Sequence, residues 1–193
     1  MNKFEQNFPT NEPSREKERP PILYHASVRR DITEFEPRAE SVREPKEGPV
    51  IFATSDLGRS SMFLVPVDHS WTQKNTINGV HLMIISDRER FLAADKGGAI
   101  YTLPPEGFNV TNEEHRDEWT NNVKVKPSDK IEFDSALEAM LSHGVQVYFV
   151  DPETLEAIRS SSDHGLAILR KQKSENEKLG KNFINLPSAE ENS

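Results

Sequence analysis

Cysteine is absent from the 193 residues. That removes disulfides, thiolate metal ligands and a cysteine nucleophile, and it gives no support to an oxidising compartment. Apolar residues are also sparse, 34% of the chain against 29% charged. No run approaches the roughly 18 consecutive apolar residues that span a bilayer, and the stretch from Met1 to Pro21 holds no apolar segment of signal-peptide type. The expectation is a soluble, cytoplasmic protein. An excess of basic charge is missing too: 24 Lys and Arg face 32 Asp and Glu, a formal charge of −8. Phosphate backbones are bound by Lys and Arg displacing counterions, so this balance argues against a general nucleic-acid binder, a local basic patch aside. A P-loop, a glycine-rich dinucleotide fingerprint, a His-Glu-x-x-His pair and a nucleophile elbow are all lacking. The six histidines (His25, His69, His81, His115, His143 and His164) lie far apart, without metal-ligand spacing, so no metal site is expected. There is no internal repeat.

The apolar residues that are present concentrate in the middle. Met1 to Arg19 holds few beyond Phe4 and Phe8, and Arg170 to Ser193 few beyond Leu179, Phe183, Ile184 and Leu186. Such ends bury too little surface to offset the entropy of ordering. Residues 1–20 and 171–193 therefore read as disordered tails around a single domain at 21–170. Within it, strands are predicted at Ile22–His25, Val50–Thr54, Val80–Ile85 and Ala99–Leu103, the last stopped by Pro104-Pro105. A half-exposed strand follows from Glu118 to Lys126, then Ile131–Phe133 and Val145–Val150. Ser55 or Asp56 can cap a helix reaching about Leu64, and Asp87 to Ala94 fits a short helix. Ser135 and Glu138 form a capping box before the stripe Leu137, Met140 and Leu141, with Gly144 as the stop. Asp151-Pro152 starts a helix through Leu155 and Ile158 toward Leu169. Residues 27–49 read as a loop anchored by Ile32 and Phe35. Residues 66–79 read as a long polar loop around Trp71, either a lid or a surface excursion. Strands outnumber helices and do not alternate with them, which predicts an α+β fold: mixed, mainly antiparallel sheets with a few short helices.

The residues with chemistry in them gather at strand ends. Tyr24-His25-Ala26-Ser27 closes the first strand, and Phe52-Ala53-Thr54 closes the second. A helix of small residues then leads to Phe63, and Glu118-Trp119-Thr120 opens a late strand. This arrangement resembles the diphtheria-toxin-type ADP-ribosyltransferases, in which a first strand ends in His-Gly-Ser/Thr, a second reads aromatic-small-Thr, a helix carries another aromatic, and a late strand begins with Glu. The resemblance runs roughly from Tyr24 to Pro127. It implies the ADP-ribosyltransferase-like fold, with NAD as the substrate that is consumed. His25 would hydrogen-bond the nicotinamide ribose, Ser27 would hold the polar position beside it, and Phe52 and Phe63 would lie along the nicotinamide with Thr54. Glu118 would be the catalytic glutamate, with Glu113, Glu114 and Asp117 as competitors for that place. Arg29, Arg38, Arg43 and Arg59 are candidates for the pyrophosphate, because guanidinium forks suit phosphate oxygens.

These residue types suit the chemistry. Breaking the bond between nicotinamide and ribose develops positive charge on the sugar, which a nearby carboxylate stabilises. The implied function is an NAD-binding mono-ADP-ribosyltransferase-like protein that transfers ADP-ribose to an unspecified acceptor, a protein being one candidate. The alternative is a catalytically inactive module of the same fold that binds a nucleotide or a protein, favoured by Phe52 where the family has tyrosine. RNA 2′-phosphotransferases share the fold and use NAD, but the acidic charge argues against an RNA substrate. Each residue also has a plain structural reading: His25 as a strand-end side chain bonded to backbone, both phenylalanines and Tyr101 as core, Glu118 as a solvated carboxylate.

Overall fold

The structure, a computed structural model, describes residues 19–38, 48–66, 68–110 and 117–178. The expected tails up to 18 and from 179, together with Arg43, Glu113 and Glu114, lie outside them. The chain is mixed α+β. Strands β1 (Leu23–Ser27), β2 (Ile51–Thr54), β5 (Gly98–Leu103), β6 (Asn109–Val110), β7 (Glu118–Asn121) and β8 (Asp129–Phe133) form a six-stranded sheet in the order β6-β7-β2-β1-β5-β8. All its pairings are antiparallel. Strands β3 (Thr72–Ile77), β4 (Val80–Ile85) and β9 (Gln146–Phe149) form a second sheet, in which β4 pairs antiparallel with β3 and parallel with β9. Five helices complete the description: α1 (Leu57–Ser61), α2 (Arg88–Ala94), α3 (Ala136–Ser142), α4 (Pro152–Ser160) and α5 (Leu166–Lys178).

Strand alternation explains the layers, because successive side chains leave a strand on opposite faces. Tyr24, Ala26 and Ile100 leave the large sheet on its inner face, where they meet Met83, Ile85 and Val147 of the small sheet, with Phe91 of α2 and Met140 of α3. Leu23, Ala53, Tyr101, Leu103 and Trp119 leave it on the outer face, under Phe35, Phe108 and Val125. Leu82, Ile84 and Tyr148 leave the small sheet away from the centre, against Leu155, Ile158 and Leu169 of α4 and α5. The apolar run Leu82–Ile85 of β4 is thus explained: both faces of the strand are covered there. Each buried large apolar side chain contributes about 1.5–3 kcal/mol.

The helix starts follow their caps. Asp56 accepts from the Arg59 amide at 2.8 Å to open α1, and Asp151 accepts from the Thr154 amide at 2.7 Å to open α4. Ser135 accepts from the Glu138 amide as the capping box requires. The start of α3 is held a second time from a distant loop. Asp95 accepts from the Ser135 hydroxyl at 2.7 Å and from the amides of Ala136 and Leu137 at 2.6 and 3.2 Å.

Three expectations need correction. Residues 66–79 are not one long loop: β3 occupies Thr72–Ile77 and turns into β4 through Asn78-Gly79, both at positive φ (51° and 81°). Those are the angles of a two-residue hairpin turn, which Asn-Gly adopts at little cost. Trp71 is 4% exposed, a core residue. The strand opening at Glu118 ends at Asn121, whose buried side chain turns inward to accept from the Val123 amide at 2.9 Å. Val125 pairs instead with Phe35 across an isolated bridge. The helix starting at Pro152 stops at Ser160, and α5 begins afresh at Leu166 and runs to Lys178, beyond the expected domain end at 170. Among the described residues no helix is long and apolar enough to cross a membrane.

Candidate functional site

His25 leaves β1 on the outer face, opposite Tyr101 in the ladder with β5. Its Nδ1 lies 2.6 Å from the carbonyl oxygen of Phe52. A carbonyl can only accept, so Nδ1 carries the proton and Nε2 keeps a lone pair. Burial pushes the His25 pKa down; the Phe52 bond opposes this, and the charge of Arg38 adds to it. The ring is therefore neutral near pH 7. Its face lies 4.6 Å from the ring of Phe35, which meets Tyr101 edge-on at 5.1 Å. The Tyr101 hydroxyl donates to the Arg29 carbonyl at 2.9 Å and accepts from the Ile32 amide at 3.1 Å. A buried tyrosine thus fixes the loop after β1 over the strand. Together these elements enclose a cavity of about 390 Å³ whose lining includes His25, Ser27, Arg29, Phe35, Arg38 and Phe52. Arg29 is engaged there with Asp31 at 3.1 Å.

The inner face carries a different group. Thr54 pairs with both Tyr24 and Glu118, so these three share that face, and Phe52 pairs with Thr120 beside them. Arg59 of α1 donates to Glu118 Oε1 at 3.3 Å, with the two side chains 21% and 24% exposed. The hydroxyl of buried Thr54 is used locally, accepting from the Asp56 amide at 3.2 Å. Phe63, half exposed just beyond α1, lies under the ammonium of Lys74, 3.8 Å from its ring centroid. Lys74 stands opposite Met83 in the β3–β4 ladder, which turns it toward the same cleft between the sheets. Burial, with the nearby charge of Arg59, lowers the Lys74 pKa to about 8. Alongside, buried His81 places Nε2 3.0 Å from Asp56 Oδ2, and this contact lowers the Asp56 pKa against the opposing effect of burial. Thr76 Oγ1 lies 2.9 Å from the other ring nitrogen.

The structure therefore brings His25, Ser27 and Arg38 around one cavity with the backbone carbonyl of Phe52, whose side chain leaves β2 on the opposite, inner face. It places Thr54, Glu118 and, through Lys74 and Arg59, Phe63 around the inner cleft. Strand alternation sets His25 and Glu118 on opposite faces of the sheet. Lys74 is not among the residues expected from the sequence, because its strand is polar and reads as loop; Asn78-Gly79 just before the apolar β4 is the signal that marks the hairpin. Compared with protein-family models, with curated proteins and with solved structures, the chain matches none.

Proposed function

We propose that the chain binds a pyridine dinucleotide such as NAD, with the His25 cavity receiving a ribose and its neighbouring phosphate, in an ADP-ribosyltransferase-like fold. The observation that carries this is the fixed tautomer of His25. With Nδ1 committed to Phe52, Nε2 is an acceptor for a ribose hydroxyl, in a neutral ring that does not compete for phosphate. Arg38 supplies the cation, and the volume lies within the roughly 300–1,000 Å³ usual for ligand sites. Binding without transfer is put first because the Glu118 carboxylate faces the other way.

A second reading, mono-ADP-ribosyl transfer, is favoured by the half-buried Glu118 carboxylate held by Arg59 at the start of β7. In it the nicotinamide–ribose bond breaks with its electron pair leaving on the nicotinamide, and a nucleophile on the acceptor forms the new bond and gives up its proton. Glu118 would stabilise the positive charge on the sugar between those events. Isothermal titration with NAD, paired with a nicotinamide-release assay, separates the readings. Binding weakened about tenfold or more by His25→Ala, with no nicotinamide released, supports the binding reading. Release that Glu118→Gln abolishes, with binding kept, supports transfer. If the unaltered chain does not bind NAD, both are rejected.

A further inference from the structure

Lys74 is an amine in an unusual setting. It sits on a strand, pointing into the cleft between the sheets, over the half-exposed ring of Phe63. Among the described residues no carboxylate pairs with it. Arg59, whose charge reaches Lys74, is itself held by Glu118. Lys124, Lys130 and Lys171 differ in having carboxylate partners. Lys124 bridges to Glu34 and Glu36, and Lys130 lies 2.6 Å from Glu132. Those carboxylates hold their ammonium groups charged, through hydrogen bonds to Glu36 and Glu132 first. Lys74 instead meets a partly dry cleft and the like charge of Arg59, both of which favour the free amine, while the Phe63 ring below it favours the ammonium and the first two prevail.

We propose that Lys74 is a covalent modification site, a nucleophilic amine that accepts acyl groups from acyl phosphates, with Arg59 receiving the phosphate end of the donor. The step balances without oxidant or cofactor. The nitrogen lone pair attacks the acyl carbon and a C–N bond forms. The bond to the phosphate oxygen breaks with its pair leaving on phosphate, and the ammonium proton passes to solvent. A guanidinium fork matches phosphate oxygens, which singles out this class of donor. The product amide carries no charge, so modification removes one of the two cations facing the cleft and weakens the hold on the Phe63 ring. None of this depends on what occupies the His25 cavity.

The test treats the full, folded chain with acetyl phosphate near neutral pH and reads each lysine by peptide mass spectrometry. Lys74 should react about tenfold faster than Lys124 and Lys130, the larger free-amine fraction being partly offset by lower intrinsic nucleophilicity. Equal rates at the three sites overturn the proposal. Acetic anhydride, which has no phosphate, serves as the second reagent. In Arg59→Gln the preference of Lys74 for acetyl phosphate over acetic anhydride should fall. An unchanged preference rejects the role of Arg59 as phosphate receiver, and circular dichroism establishes that the variant is folded.

Discussion

The imidazole of His25 donates through Nδ1 to the carbonyl of Phe52 at 2.6 Å, which ties a side chain of one strand to the backbone of its neighbour. The bond makes the ring a structural pin, and the burial of the ring sets a pH dependence. Burial lowers the folded pKa below the ordinary value of 6.5. The unfolded chain binds a proton near pH 6.5 while the folded chain resists it. The stabilisation is thus complete above that value and is lost as pH falls toward the folded pKa. The urea midpoint should drop on acidification from neutral to about pH 5, and His25→Gln should lose part of that drop. Identical pH slopes in the two chains would show that the ring is not held neutral.

Lys74 reports from the other side of neutrality. Its folded pKa of about 8 lies below the ordinary 10.5. Below pH 8 the folded chain holds a charge at a cost. As pH rises from 8 toward 10.5 the folded form sheds the proton before the unfolded one does, so stability rises across that window. Lys74→Met should be more stable than the unaltered chain near neutral pH, by on the order of 1–3 kcal/mol, with the advantage shrinking toward pH 10.5. Thermal melts of both chains across this range check it.

Asp95 gathers four donors, from Ser135, Ala136, Leu137 and Gly97. Burial alone would raise its pKa, and these bonds overcome that and lower it. Asp95→Ala leaves the start of α3 without its second cap and frees the loop before β5. The loss should be about 2–3 kcal/mol in urea unfolding. A loss under about 0.5 kcal/mol, the range of an ordinary surface change, would mean that Ser135 caps α3 unaided.

Two glycines separate a clash from a strained angle. At Gly97, φ is +63° and an added Cβ would lie 2.1 Å from the Phe133 carbonyl oxygen, while at Gly79, φ is +81° with nothing within 4 Å. Gly79→Ala should cost about 1–2 kcal/mol from the left-handed angle alone. Gly97→Ala must also push β5 away from β8, and should cost upward of about 3 kcal/mol or prevent folding. Equal unfolding free energies for the two variants would contradict the close approach of these strands.

Much of this architecture was legible in the sequence because local chemistry dictated it. The apolar run of β4, the capping box at Ser135 and the Asp-Pro start of α4 each needed only neighbours a few residues away. The failures came where distant partners decide. Thr72–Ile77 looks polar because it is an edge strand with one face open, and only pairing with β4 makes it regular. The continuous pattern from Glu118 to Lys126 breaks because the Asn121 side chain turns inward and Phe35 claims Val125. At the candidate site, His25, Ser27 and Arg38 share one cavity, while the Phe52 ring leaves β2 on the other face and contributes only its carbonyl there. The facing of Glu118 depends on the β2–β7 register, which no local pattern encodes.

The strand order β6-β7-β2-β1-β5-β8 also has a kinetic meaning. β1 lies between β2 and β5, and β2 waits for β7, so early segments find their partners only after much later ones have been synthesised. The roof of the His25 cavity follows the same rule, because Phe35 is fastened by Val125. Pairings this far apart in sequence carry a large loop-closure entropy, and chains built on them fold slowly. A nascent chain halted before Glu118 would already display His25 and Phe52, with Tyr101 holding the loop after β1, yet with the edge of β2 bare and Phe35 not fastened by Val125. The walls of that cavity would therefore be completed late in translation, and an unfinished polypeptide would offer a sticky strand edge beside them.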